Sequence, residues 1–69
     1  MQVAVLGASG RAGSEITKEL AARGHNVVAI ARKPEAIPQL PGVTAKAGDA
    51  SEPRALADLI RGSGAVISA

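Results

Sequence analysis

The chain has no cysteine and no phenylalanine, tyrosine or tryptophan. The first absence excludes disulfides and thiolate metal sites. The second removes aromatic core anchors and the platforms on which nucleic-acid bases stack. Long apolar runs are missing too. The longest, Val27-Val28-Ala29-Ile30-Ala31, falls far short of the roughly 20 residues that span a bilayer. No basic segment precedes an apolar stretch at the N-terminus, so no secretory signal is evident, and the cytoplasm is the expected location. Neither sign of charge dominates: eight Lys and Arg against six Asp and Glu leave +2. Their interleaving describes a solvated surface and not a nucleic-acid footprint. With 69 residues the chain is one domain at most, and a domain near that size buries only about 60% of its unfolded surface.

What the chain does have is glycine in one place. Gly7-Ala8-Ser9-Gly10-Arg11-Ala12-Gly13 follows the apolar run Val3-Ala4-Val5-Leu6 and leads into Ser14 to Arg23, which has amphipathic spacing. The glycines therefore fall where a short strand turns into a helix. Glycine lets another backbone or a ligand approach closely, and the first N–H groups of a helix are unpaired and partly positive. Such a turn is a ready site for a pyrophosphate. The spacing G-x-x-G-x-x-G departs by one residue from the commoner G-x-G-x-x-G, and a purely structural turn is the competing reading. A P-loop is excluded, because no Gly-Lys-Ser/Thr ending is present. A nucleophile elbow is excluded because Arg11 stands where its last glycine belongs. Ser9 is then a phosphate-side hydroxyl or a cap.

Strands and helices alternate along the rest. Four consecutive apolar residues in the first strand, about Gln2 to Leu6, fit a parallel strand covered on both faces. The first helix places Ala12, Ile16 and Leu20 on one expected buried stripe, pairs Glu15 with Lys18 and Glu19 with Arg23, and ends at Gly24. His25 is expected as a solvent-exposed turn residue. A second strand, Val27 to Ala31, stops at Arg32-Lys33-Pro34. Three prolines between Pro34 and Pro41 leave room for a turn or two of helix. A third strand, Val43 to Ala47, ends at Gly48-Asp49. Ser51 is the expected N-cap of a helix running to Arg61, with Leu56, Leu59 and Ile60 as its buried stripe. Gly64 to Ala69 is a fourth strand. This alternation implies a Rossmann-type parallel α/β sheet of order 3-2-1-4 with right-handed crossovers. The first two connections would cover one face and the last helix the other. That leaves apolar side chains of the first three strands facing water, and Ala65, Val66 and Ile67 on an open edge. The 69 residues alone are therefore expected to self-associate.

Arg32 lies nineteen residues past Gly13, where a dinucleotide's adenosine ribose would sit. An acid there would accept from the ribose hydroxyls and favour NAD. Arg offers a planar fork of donors suited to phosphate. A charge-assisted bond of about 1.5–3 kcal/mol corresponds to roughly a ten- to hundredfold preference for the 2′-phosphorylated cofactor. Arg11 is a second candidate for that phosphate; both arginines also read as ordinary surface residues. Asp49, or the amide of Ala50, is placed to meet the adenine amino edge, and Asp49 reads equally as a helix-entry acid. Ser68 and Ala69 lie across the switch point from Gly7, where ligands of open parallel sheets bind.

The combination V-x-G-A-S-G-R-A-G, a strand ending in Arg, then G-D, then G-x-A-V-I-S-A resembles the atypical short-chain dehydrogenase/reductases. It is most similar to the NAD(P)H-binding group of biliverdin reductase B-like flavin reductases and NmrA-like proteins, and the resemblance runs through all 69 residues. It implies Gly7, Ser9, Gly10, Arg11 and Ala12, with Gly13 closing the turn, around the pyrophosphate. It also implies Arg32 on the 2′-phosphate, Asp49 and Ala50 at the adenine, and Ser68 and Ala69 towards the nicotinamide ribose. The cofactor so implied is NADP(H), and the activity is hydride transfer by a whole oxidoreductase. A non-catalytic NmrA-like sensor is the alternative, as is a sugar-nucleotide epimerase or dehydratase, which more often carries an acid in place of Arg32. The Tyr-x-x-x-Lys pair of many members lies beyond the part resembled here. On this reading residues 1–69 are the N-terminal part of one dinucleotide-binding domain, without catalytic or metal-binding residues of their own.

Overall fold

A computed structural model describes residues 1–49 and 51–69. Ala50 lies outside the described residues. The chain runs β1 (Gln2–Leu6), α1 (Arg11–Ala22), β2 (Asn26–Ala31), a 3₁₀ turn (Pro34–Ala36), β3 (Val43–Ala47), α2 (Pro53–Ile60) and β4 (Ala65–Ser68). The strands form one sheet in the order β3-β2-β1-β4. Every pairing is parallel, with Val3 opposite Val27 and Ala65, and Val27 opposite Val43. This is the Rossmann-type order expected from the strand–helix alternation.

The pleat sorts side chains to two faces. Val3, Val5, Val27 and Ala29 are buried on the first face, against Ile16 and Leu20 of α1 and Ile37 after the 3₁₀ turn. On the second face, the side chains of Ile30, Leu56 and Leu59 all come within 4 Å of where a Cβ on Gly48 would stand. Water does not reach the second face as widely as expected: Ala4 is 0% and Ile30 2% exposed. Thr44 and Lys46, which share that face in β3, are polar and exposed. Val66 of β4, on this same face, is 46% accessible.

Helix α1 begins at Arg11, three residues before Ser14. Its buried residues are Gly13 and Thr17, with Ile16 and Leu20 half-buried beside them, while Ala12 is exposed. Close approach of the helix to the strand–helix turn sets this phase. A Cβ on Gly13 would overlap the carbonyl oxygen of Gly7 and stand 2.9 Å from Ala8 Cα. Thr17, one turn on, is fully buried, and its Oγ1 donates to Gly13 O at 2.8 Å. The wet side carries the expected pairs, Glu15 with Lys18 at 3.4 Å and Glu19 with Arg23 at 2.7 Å, each worth a few tenths of a kcal/mol. The helix ends in a Schellman motif. Gly24, at φ +85°, donates to Ala21 O, and His25 N donates to Leu20 O, both at 3.1 Å. His25 is half-buried by this turn and not solvent-exposed as expected.

Helix α2 also starts differently. Glu52, not Ser51, occupies the N-cap, without a side-chain cap bond, and Pro53 is the first helical residue. Asp49 takes over the local hydrogen bonding. Its Oδ1 accepts the Ser51 N–H at 3.0 Å and its carbonyl accepts the Glu52 N–H at 3.0 Å. A short carboxylate reaching the N–H two residues on is an Asx turn. It draws Ser51 into the turn and moves the helix start one residue along.

Candidate functional site

The C-terminal ends of the four parallel strands share one edge of the sheet, and a cleft of about 990 Å³ opens there. A dinucleotide-sized ligand needs a cavity near the upper end of the usual range. At the centre of the cleft is the turn after β1. Gly7 holds φ +74°, which a side chain would strain, and a Cβ on it would stand 2.9 Å from Ala69 O. The N–H groups of Gly7 and Ala8 both donate to Ile30 O, at 3.0 and 3.1 Å. The next carbonyl of β2, on Ala31, accepts from Gly48 N at 3.0 Å. The end of β2 thus secures the glycine turn on one side and the end of β3 on the other.

Gly10 is the N-cap of α1, at φ −74° and ψ 171°, backbone that any residue adopts. A Cβ there would find nothing closer than Gly7 O at 3.4 Å. Neither backbone angle nor internal packing calls for a glycine at this position. The N–H groups of Ser9, Arg11, Ala12 and Gly13 have no backbone or side-chain acceptor among the described residues. With the helix dipole behind them, these donors make an anion site.

Gly7, Ser9 and Gly10 line the cleft, as do Arg32, Asp49, Ser68 and Ala69. Seven of the residues singled out in the sequence therefore converge on one surface. Arg11 and Ala12 lie on the exposed first turn of α1 just outside it, and Gly13 is buried beneath the turn. The expectation for Ala50 lies outside the described residues. Ala36 and Leu56 also line the cleft, and sequence reasoning missed both. The ion pairs among the described residues are all on helix surfaces, and none engages Arg11, Arg32 or Lys33. Asp49 is ionised more readily than an ordinary aspartate. The Ser51 N–H bonded to its carboxylate is the main cause, aided by the Ser51 hydroxyl and the charge of Arg32, while partial burial opposes them. The cleft thus offers unpaired N–H donors and cations beside one carboxylate. That arrangement is complementary to a phosphorylated ligand with a hydrogen-bond donor near Asp49.

Solved structures with this fold include the oxidoreductase ylbE of Lactococcus lactis. It is 32% identical, with TM-score 0.91, over 99% of this chain and 32% of that one. The Bordetella bronchiseptica enzyme WbmH, in complex with NAD+, is 27% identical with TM-score 0.86, over 99% of this chain and 25% of its own. The chain therefore spans about a third or less of the length of these proteins. An uncharacterized Bacillus subtilis protein, YwnB, is 56% identical over 32 residues, 46% of this chain and 15% of YwnB. Among the described residues no helix is long and apolar enough to cross a membrane. A family model described as NAD(P)H-binding matches residues 7–69, from the first glycine of the turn to Ala69. The chain belongs to this NAD(P)H-binding family.

Proposed function

We propose that residues 1–69 are the N-terminal, NADP(H)-binding part of a dinucleotide-binding domain in a cytoplasmic oxidoreductase of the short-chain type. The observation that carries this reading is Gly10: the fold has no use for a glycine there, whereas a diphosphate approaching four unpaired N–H groups does. The donors of Ser9, Arg11, Ala12 and Gly13 would hold the diphosphate. Arg32, with Lys33 next to it in the chain and Arg11 as the second candidate, would hold a 2′-phosphate; Asp49, with Ala50, would face the adenine amino edge. Ser68 and Ala69, across the switch point from Gly7, would lie on the nicotinamide side. When bound, the cofactor supplies hydride-transfer chemistry, and the role of these residues is to bind and orient it.

Likeness to an oxidoreductase over nearly the whole chain supports the reaction class. WbmH holds NAD+; Arg32, in place of an acid, is the reason for assigning the 2′-phosphorylated form here. The test is calorimetric titration of the protein with NADPH. The Gly10→Ala variant should unfold at the same urea concentration as the unsubstituted protein and bind at least roughly tenfold more weakly, since the new methyl occupies the diphosphate's approach. Unchanged binding by this variant would overturn the reading.

A further inference from the structure

The phosphate end and the base end of the cleft are two strands apart. Gly7 and Gly10 follow β1, whereas Gly48 and Asp49 follow β3 at the sheet's edge, about 10 Å away across two strand spacings. A heterocycle at the far end needs an apolar surface for its ring, and the chain has no aromatic residue to give one. Ile30 reaches the cleft but is only 2% exposed. Leu56 is half-buried, lines the cleft and is carried by α2, seven residues beyond Asp49.

Gly48 explains how a helix residue gets there. A Cβ at Gly48 would stand 2.7 Å from Ile30 Cγ2 and 2.9 Å from Leu59 Cδ1, with Leu56 Cδ1 at 3.6 Å. The bare backbone lets α2 settle onto the end of the sheet. Leu59 faces the packing there, while Leu56 borders the cleft. We infer that Leu56 is the apolar wall on which the ring of the bound cofactor's base rests, and that it sets how large a base the site accepts. This inference rests on the NADP(H) reading above. It goes beyond it in giving α2, which carries no charged or polar candidate, a direct part in recognition.

The experiment compares affinities of the protein for NADP+ and for its 1,N6-etheno analogue, whose base is larger. Leu56→Ala should weaken NADP+ by about fivefold, as expected for roughly 40 Å² of lost apolar contact. It should weaken the etheno analogue less, because the enlarged end admits the added ring. Leu56→Val, a smaller excision that keeps the fold intact, should shift the same ratio in the same direction by about twofold. Leu59→Ala should lower the melting temperature and leave both affinities alone. An unchanged ratio in both Leu56 variants, or an equal change in Leu59→Ala, would overturn the assignment of the wall to Leu56. If the unsubstituted protein binds neither dinucleotide, the cofactor reading itself fails and this inference goes with it. If it binds both and the ratio does not move, only the wall is wrong.

Discussion

Two glycines three residues apart should respond in opposite ways to the same methyl group. In Gly13→Ala the new carbon overlaps Gly7 O and lies 2.8 Å from Gly7 C and 2.9 Å from Ala8 Cα. All three are backbone atoms, so no side-chain rotation relieves the contact. The turn cannot retreat either, because Gly7 and Ala8 are hydrogen-bonded to Ile30 O, and Ala8 is 0% exposed. Relief requires α1 to lift from the sheet by something like an ångström, loosening Ile16 and Leu20 from the core. Overpacking of this kind costs about 1–3 kcal/mol and sometimes more. For a domain of this size the total stability is on the order of 3–10 kcal/mol, so the variant should lose a large fraction of it. Gly10→Ala, with a nearest contact of 3.4 Å, should stay within about 0.5 kcal/mol of the parent. Urea unfolding followed by circular dichroism measures both. A Gly13→Ala midpoint equal to that of the parent would refute the close-approach argument. Equal losses in the two variants would refute the claim that Gly10 is spared for a ligand.

Three further expectations follow from the cleft and the sheet. Arg32→Asp should erase or invert a preference of at least roughly tenfold for NADPH over NADH, and equal affinities for the two in the unsubstituted protein would show that Arg32 does not read the 2′-phosphate. The Asp49 carboxyl should titrate below the ordinary aspartate range, because the Ser51 N–H and then Arg32 favour its charged form. Its contribution to stability is then complete above the unfolded-state pKa and lost as pH falls through the lower folded-state value; carbon NMR finding an ordinary or raised titration would contradict the Asx turn. The 69 residues alone should associate at micromolar concentration, since among the described residues β4 pairs only with β1 and Val66 is 46% exposed, and sedimentation of a stable monomer would rule that out.

The strand order and the glycine turn were legible because each is written redundantly. Continuous apolar runs separate four strands, and the crossover rule leaves one arrangement for them. Arg32 could be placed by counting from Gly13, since the span between them is a helix capped by Gly24 and one strand. Finer matters were decided by tertiary geometry. Helical periodicity names a stripe but not its phase against the sheet, so it points to Ala12 where Gly13 occupies the buried place. Asp49 and Ser51 are both short polar residues with the same local repertoire, and the loop after β3 chose between them. Leu56 and Leu59 are equivalent in a helical pattern; the bare backbone at Gly48 separates their surroundings.

The consecutive carbonyls of Ile30 and Ala31, which accept from Gly7, Ala8 and Gly48, have a consequence for how such a protein can vary. The end of β2 is fixed in register, because a residue inserted or deleted between Val27 and Ala31 would detach the turn after β1, the end of β3, or both. From Lys33 to Gly42 no such tie to the glycine turn exists among the described residues. Arg32 stands one residue past the last of these anchors. The residue that would choose between two cofactors is thus exchangeable by point substitution on a fixed mount, and the loop behind it is free to change length without disturbing the anion site.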